Sequence, residues 1–381
     1  MTKNERAPWH AANPEPSEHF KVWSLGFPNR GEVGLIEYEE GPLGQGQFRL
    51  ATLYTGLSAG TELTFYKGTN PYLHSQWDEA LGLFKSEQAS TQFPVSFVGY
   101  MEVGRCVASR TPAVQEGDVV AMTYGHKTGH TANAFWDFFR VLPRDLDPLL
   151  GIYVTQMGPI CANGILHADA DFLGPIVPAL GAGIRDKHVL IMGGGVVGLL
   201  TGLFAKTLGA REVAVADATP ERLHAAAGLD LLPINTHETP AWRWCKSRWH
   251  DSERGADVVF QCRAQDNALH EALQCLRPQG TVVDLSFYQG GMSNLRLGEE
   301  FHHNGLRIVC AQINRVPRGL SHEWHKGRLA DATLDLLHSH GAAIRQHLVT
   351  DVLPLEDAAP LIAELSERRR HVLQAVFAVN E

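Results

Sequence analysis

Between Lys187 and Asp217 the chain reads KHVLIMGGGVVGLLTGLFAKTLGAREVAVAD, and these residue types can hold a dinucleotide. Gly193-Gly194-Gly195-Val196-Val197-Gly198 fits the spacing G-x-G-x-x-G. Gly193 permits a tight turn, Gly195 lets backbone approach a pyrophosphate, and Gly198 lets a helix pack closely on a strand. A helix opening at Val196 and Val197 turns unpaired N–H groups and the positive end of its dipole toward the phosphates. Asp217, 19 residues after Gly198, is placed to accept hydrogen bonds from the adenosine ribose and to repel a 2′-phosphate. Arg222, five residues on, could instead pair with a 2′-phosphate or flank the adenine. The carboxylate at the strand tip favours NAD over NADP.

His126 and His130, in TYGHKTGHTAN, are spaced i, i+4. On a helix they would share a face and could ligate a metal, but the intervening Gly and Thr argue against a helix. They read as solvent-exposed loop histidines, with contact to a substrate the alternative. His302-His303 and His322-Glu323-Trp324-His325 lack ligand spacing and read as surface or partner contacts. The six cysteines form no C-x-x-C pair, and Cys262, Cys275 and Cys310 lie in apolar runs as small core residues. Reduced thiols and a cytoplasmic location are the expectation.

The elements that must position these residues follow from hydrophobic period. Residues 21 to about 153 run as short strands between Gly, Pro and Asn breaks, the pattern of a β-barrel-like domain. Pro71 to Gln92 is more polar and reads as an insertion that could be helical. From about Thr155 the pattern changes. QMGPICANGILHADAD and NALHEALQCLRPQG read as helical, and LDLLPIN, ADVVFQC, GTVVDLSFY and LRIVCAQ as strands. This alternation predicts a Rossmann-type doubly wound parallel sheet. The expected division is a tail at 1–18, a β domain at 19–153 and 315–381, and a dinucleotide domain at 154–314. If the late strand 306–312 lies at the sheet edge it needs covering, which points to a homodimer.

At 381 residues, 44% hydrophobic and 20% charged, the composition is that of a globular protein. A net charge of −9 gives no support to nucleic-acid or anionic-membrane binding. The polar, Pro-containing start MTKNERAPWHAANPEPSEHF reads as neither signal peptide nor anchor.

SAGTELTFYKG (58–68), VGYMEVGRC (98–106), EGDVV (116–120), GGGVVG (193–198) and LRPQGTVVDLSFY (276–288) together resemble the medium-chain dehydrogenase/reductases, the alcohol dehydrogenase superfamily. The chain looks most like the branch holding bacteriochlorophyllide dehydrogenases and sorbitol- or threonine-dehydrogenase-like proteins. The resemblance implies a GroES-like β-barrel domain with the Rossmann domain inserted in it. Zinc members carry a Cys where this chain has Ala59, and a Gly-His-Glu where it reads Gly99-Tyr100-Met101. Neither Ala nor Met can hold zinc, and Tyr is a poor substitute for His. Cys161 lies near the third ligand position without partners, and the four Cys of the structural zinc lobe are missing. The expectation is no zinc.

By the same resemblance Thr61 falls where zinc members hydrogen-bond the substrate oxygen, and its hydroxyl can both accept and donate. Tyr100 would then act as general acid or fill the pocket. Glu62 would orient the site or serve as a structural partner. Arg263-Ala264 and Ser286 to Tyr288 lie at strand carboxyl ends, where the nicotinamide half is expected to run. The implied function is an NAD-dependent, zinc-independent oxidoreductase interconverting a secondary alcohol and a ketone on a small or medium-sized metabolite. Reduction of an activated C=C bond, as in quinone and enoyl reductases, is the alternative, and a non-catalytic dinucleotide-binding protein is another.

Overall fold

A computed structural model describes residues 19–380, so the expected tail at 1–18 lies outside the described residues. Two compact units form: one runs to Thr155 and resumes at Thr350, and the other is Gln156–Val349.

In the first unit the strand Gln47–Gly56 is buried along nearly its whole length, which suits a central position. It pairs antiparallel with Glu102–Ser109, Gly129–Asn133 and Gln374–Ala378. Val349–Pro354 extends the sheet on one side, and Val119–Met122 and Arg140–Val141 on the other. A second antiparallel pair, Phe20–Gly26 with Gly34–Glu40, is tied to this sheet through backbone. Leu25 N donates to His126 O at 2.8 Å, and Thr128 N donates to Trp23 O at 2.9 Å. Those two bonds fix the loop carrying His126 between the sheets. Phe27, Val95, Leu361 and Phe377 fill one core cluster, and Phe48, Leu50, Val120 and Met122 another. The segment 71–92 is not a long helix. It holds a 3₁₀ turn, Pro71–Leu73, and a two-stranded hairpin, Gln76–Asp78 with Leu83–Lys85, closed by Trp77 against Phe84.

The second unit is a doubly wound α/β fold. Its six strands are parallel in the order Leu232–Asn235, Glu212–Asp217, His188–Met192, Ala256–Gln261, Leu276–Asp284, Arg307–Cys310. HVLIM is buried from Val189 to Met192, as a strand covered on both faces must be. The chain winds outward in both directions from His188–Met192, so the switch point where such folds bind ligands opens directly at Gly193.

The sequence pattern places the return to the β unit at 315, whereas it lies at Thr350. The intervening helix Lys326–His347 buries Leu329, Leu336, Leu337 and Ile344 and packs on the helix Met157–Leu173 of the dinucleotide unit. All six cysteines are unpaired; Cys275 is buried, Cys262 is partly so, and Cys310, expected in the core, is exposed on the edge strand. Among the described residues no helix is long and apolar enough to cross a membrane.

Candidate active site

The three motif glycines meet three different constraints. Gly193 has φ +103°, and a Cβ there would sit 3.0 Å from the Arg263 Cβ. At Gly198 a Cβ would lie 1.9 Å from the Gly193 carbonyl oxygen, so helix and turn close only without a side chain. Gly195 has nothing within 4 Å of a built Cβ. It precedes the helix Val196–Thr207, and no side chain caps that end. Val196 and Val197 therefore present first-turn N–H groups beside open space, the arrangement a pyrophosphate requires.

Asp217 is buried at the tip of the neighbouring strand. It accepts Gly194 N at 2.8 Å, Thr219 N at 2.8 Å and the Arg222 guanidinium at 3.3 Å. Burial alone would raise its pKa, but Arg222 and the two N–H groups outweigh that, so the carboxyl lies below its ordinary value and is ionised at neutral pH. Arg222 is 38% exposed and free to lean toward solvent or ligand. Arg263 is exposed just past the strand Ala256–Gln261. Ser286, past the next strand, donates its hydroxyl to Gln261 O at 3.1 Å. Gly193–Gly198, Asp217, Arg222 and Arg263 thus surround one turn, while Ser286 is held one strand further along.

In the first unit the helix Ala59–Tyr66 begins after Ser58, and Glu62, four residues on, reaches back to accept Ser58 N at 2.7 Å. Tyr100 Oη hydrogen-bonds Ser58 Oγ closely and lies 3.5 Å from Thr61 Oγ1. The other Glu62 oxygen meets His126 Nε2 at 2.6 Å. His126 Nδ1 lies 2.5 Å from Thr55 Oγ1, which donates to Glu102 Oε1 at 3.2 Å. Glu102 Oε2 accepts Tyr124 N at 2.7 Å. Glu62 is 2% exposed, and Glu102 and His126 are 0% exposed.

Electrostatics follow from that burial. The Tyr100 phenol is pushed up by desolvation, with Glu62 and Glu102 adding to the shift and the Ser58 and Thr61 contacts opposing it. It is neutral at physiological pH. Burial raises Glu102, against the pull of His126 and backbone N–H groups. For His126 burial opposes the charge, but Glu62 and Glu102 outweigh it and the pKa rises.

His126 is therefore no exposed loop histidine. Its backbone bond to Leu25 and its two side-chain partners hold it inside. His130 is a separate residue chemically: it sits on the strand Gly129–Asn133 and stacks on Tyr124 with centroids 4.8 Å apart. Burial, helped by Lys127, pushes it down to about 3. His302 and His303 are exposed, and His325 caps the helix Lys326–His347 by accepting Arg328 N at 3.3 Å. Ser58, Thr55 and Glu102 are the members of the network that sequence reasoning missed, and His126, singled out as an exposed loop residue, is buried within it. Glu102 had a usable signal: a lone acid within the mostly apolar run VGYMEVGRCV, at the start of the strand Glu102–Ser109.

The donor set does not fit zinc at the family's ligand positions. Ala59 has no donor, and Met101 is fully buried in the core. Tyr100 is committed to Ser58, and Cys161 points its thiol to Val197 O at 3.5 Å within the other unit. Among the described residues the trio with ligand atoms within 4.8 Å of one another is His270, Glu299 and Glu300, also in the dinucleotide unit.

Comparison with known proteins points the same way as the fold. Residues 196–326 match the zinc-binding dehydrogenase family. The chain is 21% identical to D-guloside 3-dehydrogenase of Escherichia coli K12, over 80% of this chain and 85% of that protein. It is 32% identical to sorbitol dehydrogenase of Bacillus subtilis 168, over 57% of this chain and 59% of that one. Galactitol-1-phosphate dehydrogenase from Escherichia coli superimposes with a TM-score of 0.71 at 15% identity, covering 93% of this chain and 99% of that chain. With its parallel dinucleotide sheet and separate β unit, this chain has the fold of, and is similar in sequence to, dehydrogenases of the medium-chain dehydrogenase/reductase superfamily.

Proposed function

We propose that the chain is an NAD-dependent oxidoreductase that interconverts a secondary alcohol and a ketone without a metal ion. The observation that carries this is the Tyr100 hydroxyl, neutral and held by Ser58 and Thr61 where zinc relatives have a ligand. When bound, NAD supplies the hydride acceptor. The Gly193–Gly198 turn, with the first-turn N–H groups of Val196 and Val197, receives the pyrophosphate, and Asp217 the adenosine ribose. Arg222 flanks the adenine, and Arg263 and Ser286 serve the nicotinamide half. As hydride leaves a carbinol carbon, its hydroxyl proton must go elsewhere. Tyr100 takes it while passing its own proton to Ser58, and Ser58 releases its hydroxyl proton to solvent, with Thr61 steadying the substrate oxygen, so the proton lost by the substrate leaves the protein and no net charge builds up. Glu62 holds Ser58 in place.

The family match begins at Val196, so it does not span Ala59 or Gly99–Met101 and carries no argument for zinc at those positions. The polyhydroxylated substrates in the relatives' names, a guloside and sorbitol, support a polyol or sugar-like substrate. The edge position of Arg307–Cys310 supports a homodimer paired there, and the unpaired thiols suit a reducing, cytoplasmic setting. A neutral phenol could also protonate the carbanion formed when an enone accepts hydride, which keeps C=C reduction as a second reading.

The test is a substrate screen on wild type and Tyr100→Phe. Secondary alcohols and polyols with NAD are expected to turn over in wild type and to lose about 100-fold or more in the variant. Turnover of enones with NADH and of no alcohol would replace the proposal with the second reading. Silence in both, with NADH still bound, would make the chain a dinucleotide-binding protein without catalysis.

A further inference from the structure

The network around His126 holds more than a satisfied core histidine. Thr55 has one hydroxyl proton and two acceptor-capable neighbours, Glu102 Oε1 at 3.2 Å and His126 Nδ1 at 2.5 Å. Glu102 accepts backbone N–H groups, Tyr124 N at 2.7 Å among them, and faces the His126 ring, and both favour its carboxylate form against the burial that raises it. With Thr55 donating to that carboxylate, Nδ1 must carry a proton and donate to Thr55. Nε2 faces Glu62 Oε2 at 2.6 Å, and an ionised carboxylate only accepts. Both ring nitrogens then bear hydrogen.

We propose that His126 is a buried imidazolium and a positioning residue: it pins Glu62, Glu62 pins the Ser58 backbone, and Ser58 fixes the Tyr100 hydroxyl. The proposal rests on the reading of Tyr100 as the proton-transfer group. The surroundings of the ring fit this assignment. Glu62 from the helix Ala59–Tyr66, Glu102 and Thr55 from two neighbouring strands, and the Phe377 ring, 5.7 Å away and edge-on, face it. Lys127, next in the chain, turns its ammonium to the Phe97 and Tyr38 rings, at 4.6 and 5.5 Å. Gly99, with φ +99°, makes room for the ring: a Cβ there would stand 3.0 Å from His126 Cε1 and 2.9 Å from Glu102 Oε1. The residue before Tyr100 is thus small because His126 lies against it. A cation flanked by two acids beside the segment carrying Tyr100 gives this chain a positive charge of its own in the β unit.

The experiment labels histidine with ¹⁵N and tyrosine with ¹³C at Cζ in wild type, His126→Gln and Glu62→Gln. At pH 8, where ordinary imidazoles are neutral, one histidine is expected to keep both nitrogens protonated. That signal disappears in His126→Gln and becomes a neutral imidazole in the near-isosteric Glu62→Gln. The Tyr100 Cζ resonance, assigned by Tyr100→Phe, is expected to move in both variants without substrate present. No doubly protonated histidine at pH 8 in folded wild type overturns the imidazolium, and an unmoved Tyr100 resonance in Glu62→Gln overturns the positioning role. If His126→Gln does not fold, Glu62→Gln carries both readouts. With an active substrate, His126→Gln is expected to lower kcat at least tenfold with KM within about twofold, and an unchanged kcat counts against the role. Intact spectroscopic coupling with no turnover on any alcohol would instead defeat the oxidoreductase reading and leave the positioning intact.

Discussion

Replacing Asp217 by Asn tests the cofactor assignment, and the structure sets the size of the effect. The carboxylate spends one oxygen on Thr219 N and both lone pairs of the other on Gly194 N and Arg222, so a ribose hydroxyl must use the oxygen facing Thr219 or displace Arg222. Asn keeps one oxygen for the turn, so the fold around Gly194 survives. It loses the charge, and a hydrogen bond to a charged group contributes about 1.5–3 kcal/mol. NADH affinity is therefore expected to fall roughly 10- to 100-fold. NADPH responds in the opposite sense. A carboxylate about 4 Å from one phosphate charge is repelled by about 4 kcal/mol at an effective dielectric of about 20. Arg222, 3.3 Å from the carboxylate, offsets part of that. Wild type should then prefer NADH by at least about tenfold, and Asp217→Asn should bring the two within about threefold or reverse them. Titration calorimetry with both nucleotides on both proteins reads this directly. Equal affinities in wild type, or an unchanged ratio in the variant, would refute the assignment of Asp217 as the selecting residue.

Two further predictions separate fold from function. Gly198→Ala drives a methyl into the Gly193 carbonyl, so it should cost about 3 kcal/mol and lower the melting temperature by roughly 6–12 °C. Gly195→Ala meets nothing within 4 Å, so the melting temperature should hold while NADH binding weakens, and the reverse pattern would contradict the assigned roles. The raised His126 pKa gives a pH signature. The folded state keeps a proton that the unfolded state releases near pH 6.5, so the stabilisation is complete below that pH and fades as pH rises through the folded value. Urea unfolding should show His126→Gln about 3 kcal/mol less stable than wild type at pH 6, with a smaller gap at pH 9. A gap that widens with pH would reverse the sign.

The dinucleotide unit is legible in sequence because its constraints are local. Gly193, Gly195 and Gly198 answer to a backbone turn, and Val189 to Met192 to burial on both faces, each readable from a few consecutive residues. The β unit hides more. His126 is buried because Leu25, over a hundred positions earlier, takes its carbonyl and Glu62 its side chain. Nothing in GHKTGH carries that long-range pairing, and a Gly- and Thr-rich stretch reads as exposed loop. Ser58 was visible only as the first residue of the motif 58–68; its contact with Tyr100, 42 residues on, depends on the turn at Gly99. The helix Lys326–His347 is amphipathic, and a buried face alone does not say which unit covers it. The hairpin at 76–85 is three residues per strand, too short for periodicity to outweigh a polar composition.

The central claim is hydride transfer without a metal, and turnover by metal-free protein tests it most directly. Protein stripped with a strong chelator, and shown by elemental analysis to hold well under about 0.1 metal ion per chain, should oxidise its best secondary alcohol with NAD at the rate of untreated protein, because Tyr100, Ser58 and Thr61 move the proton themselves. One zinc per chain in untreated protein, with activity lost on stripping and restored by zinc, would contradict the account.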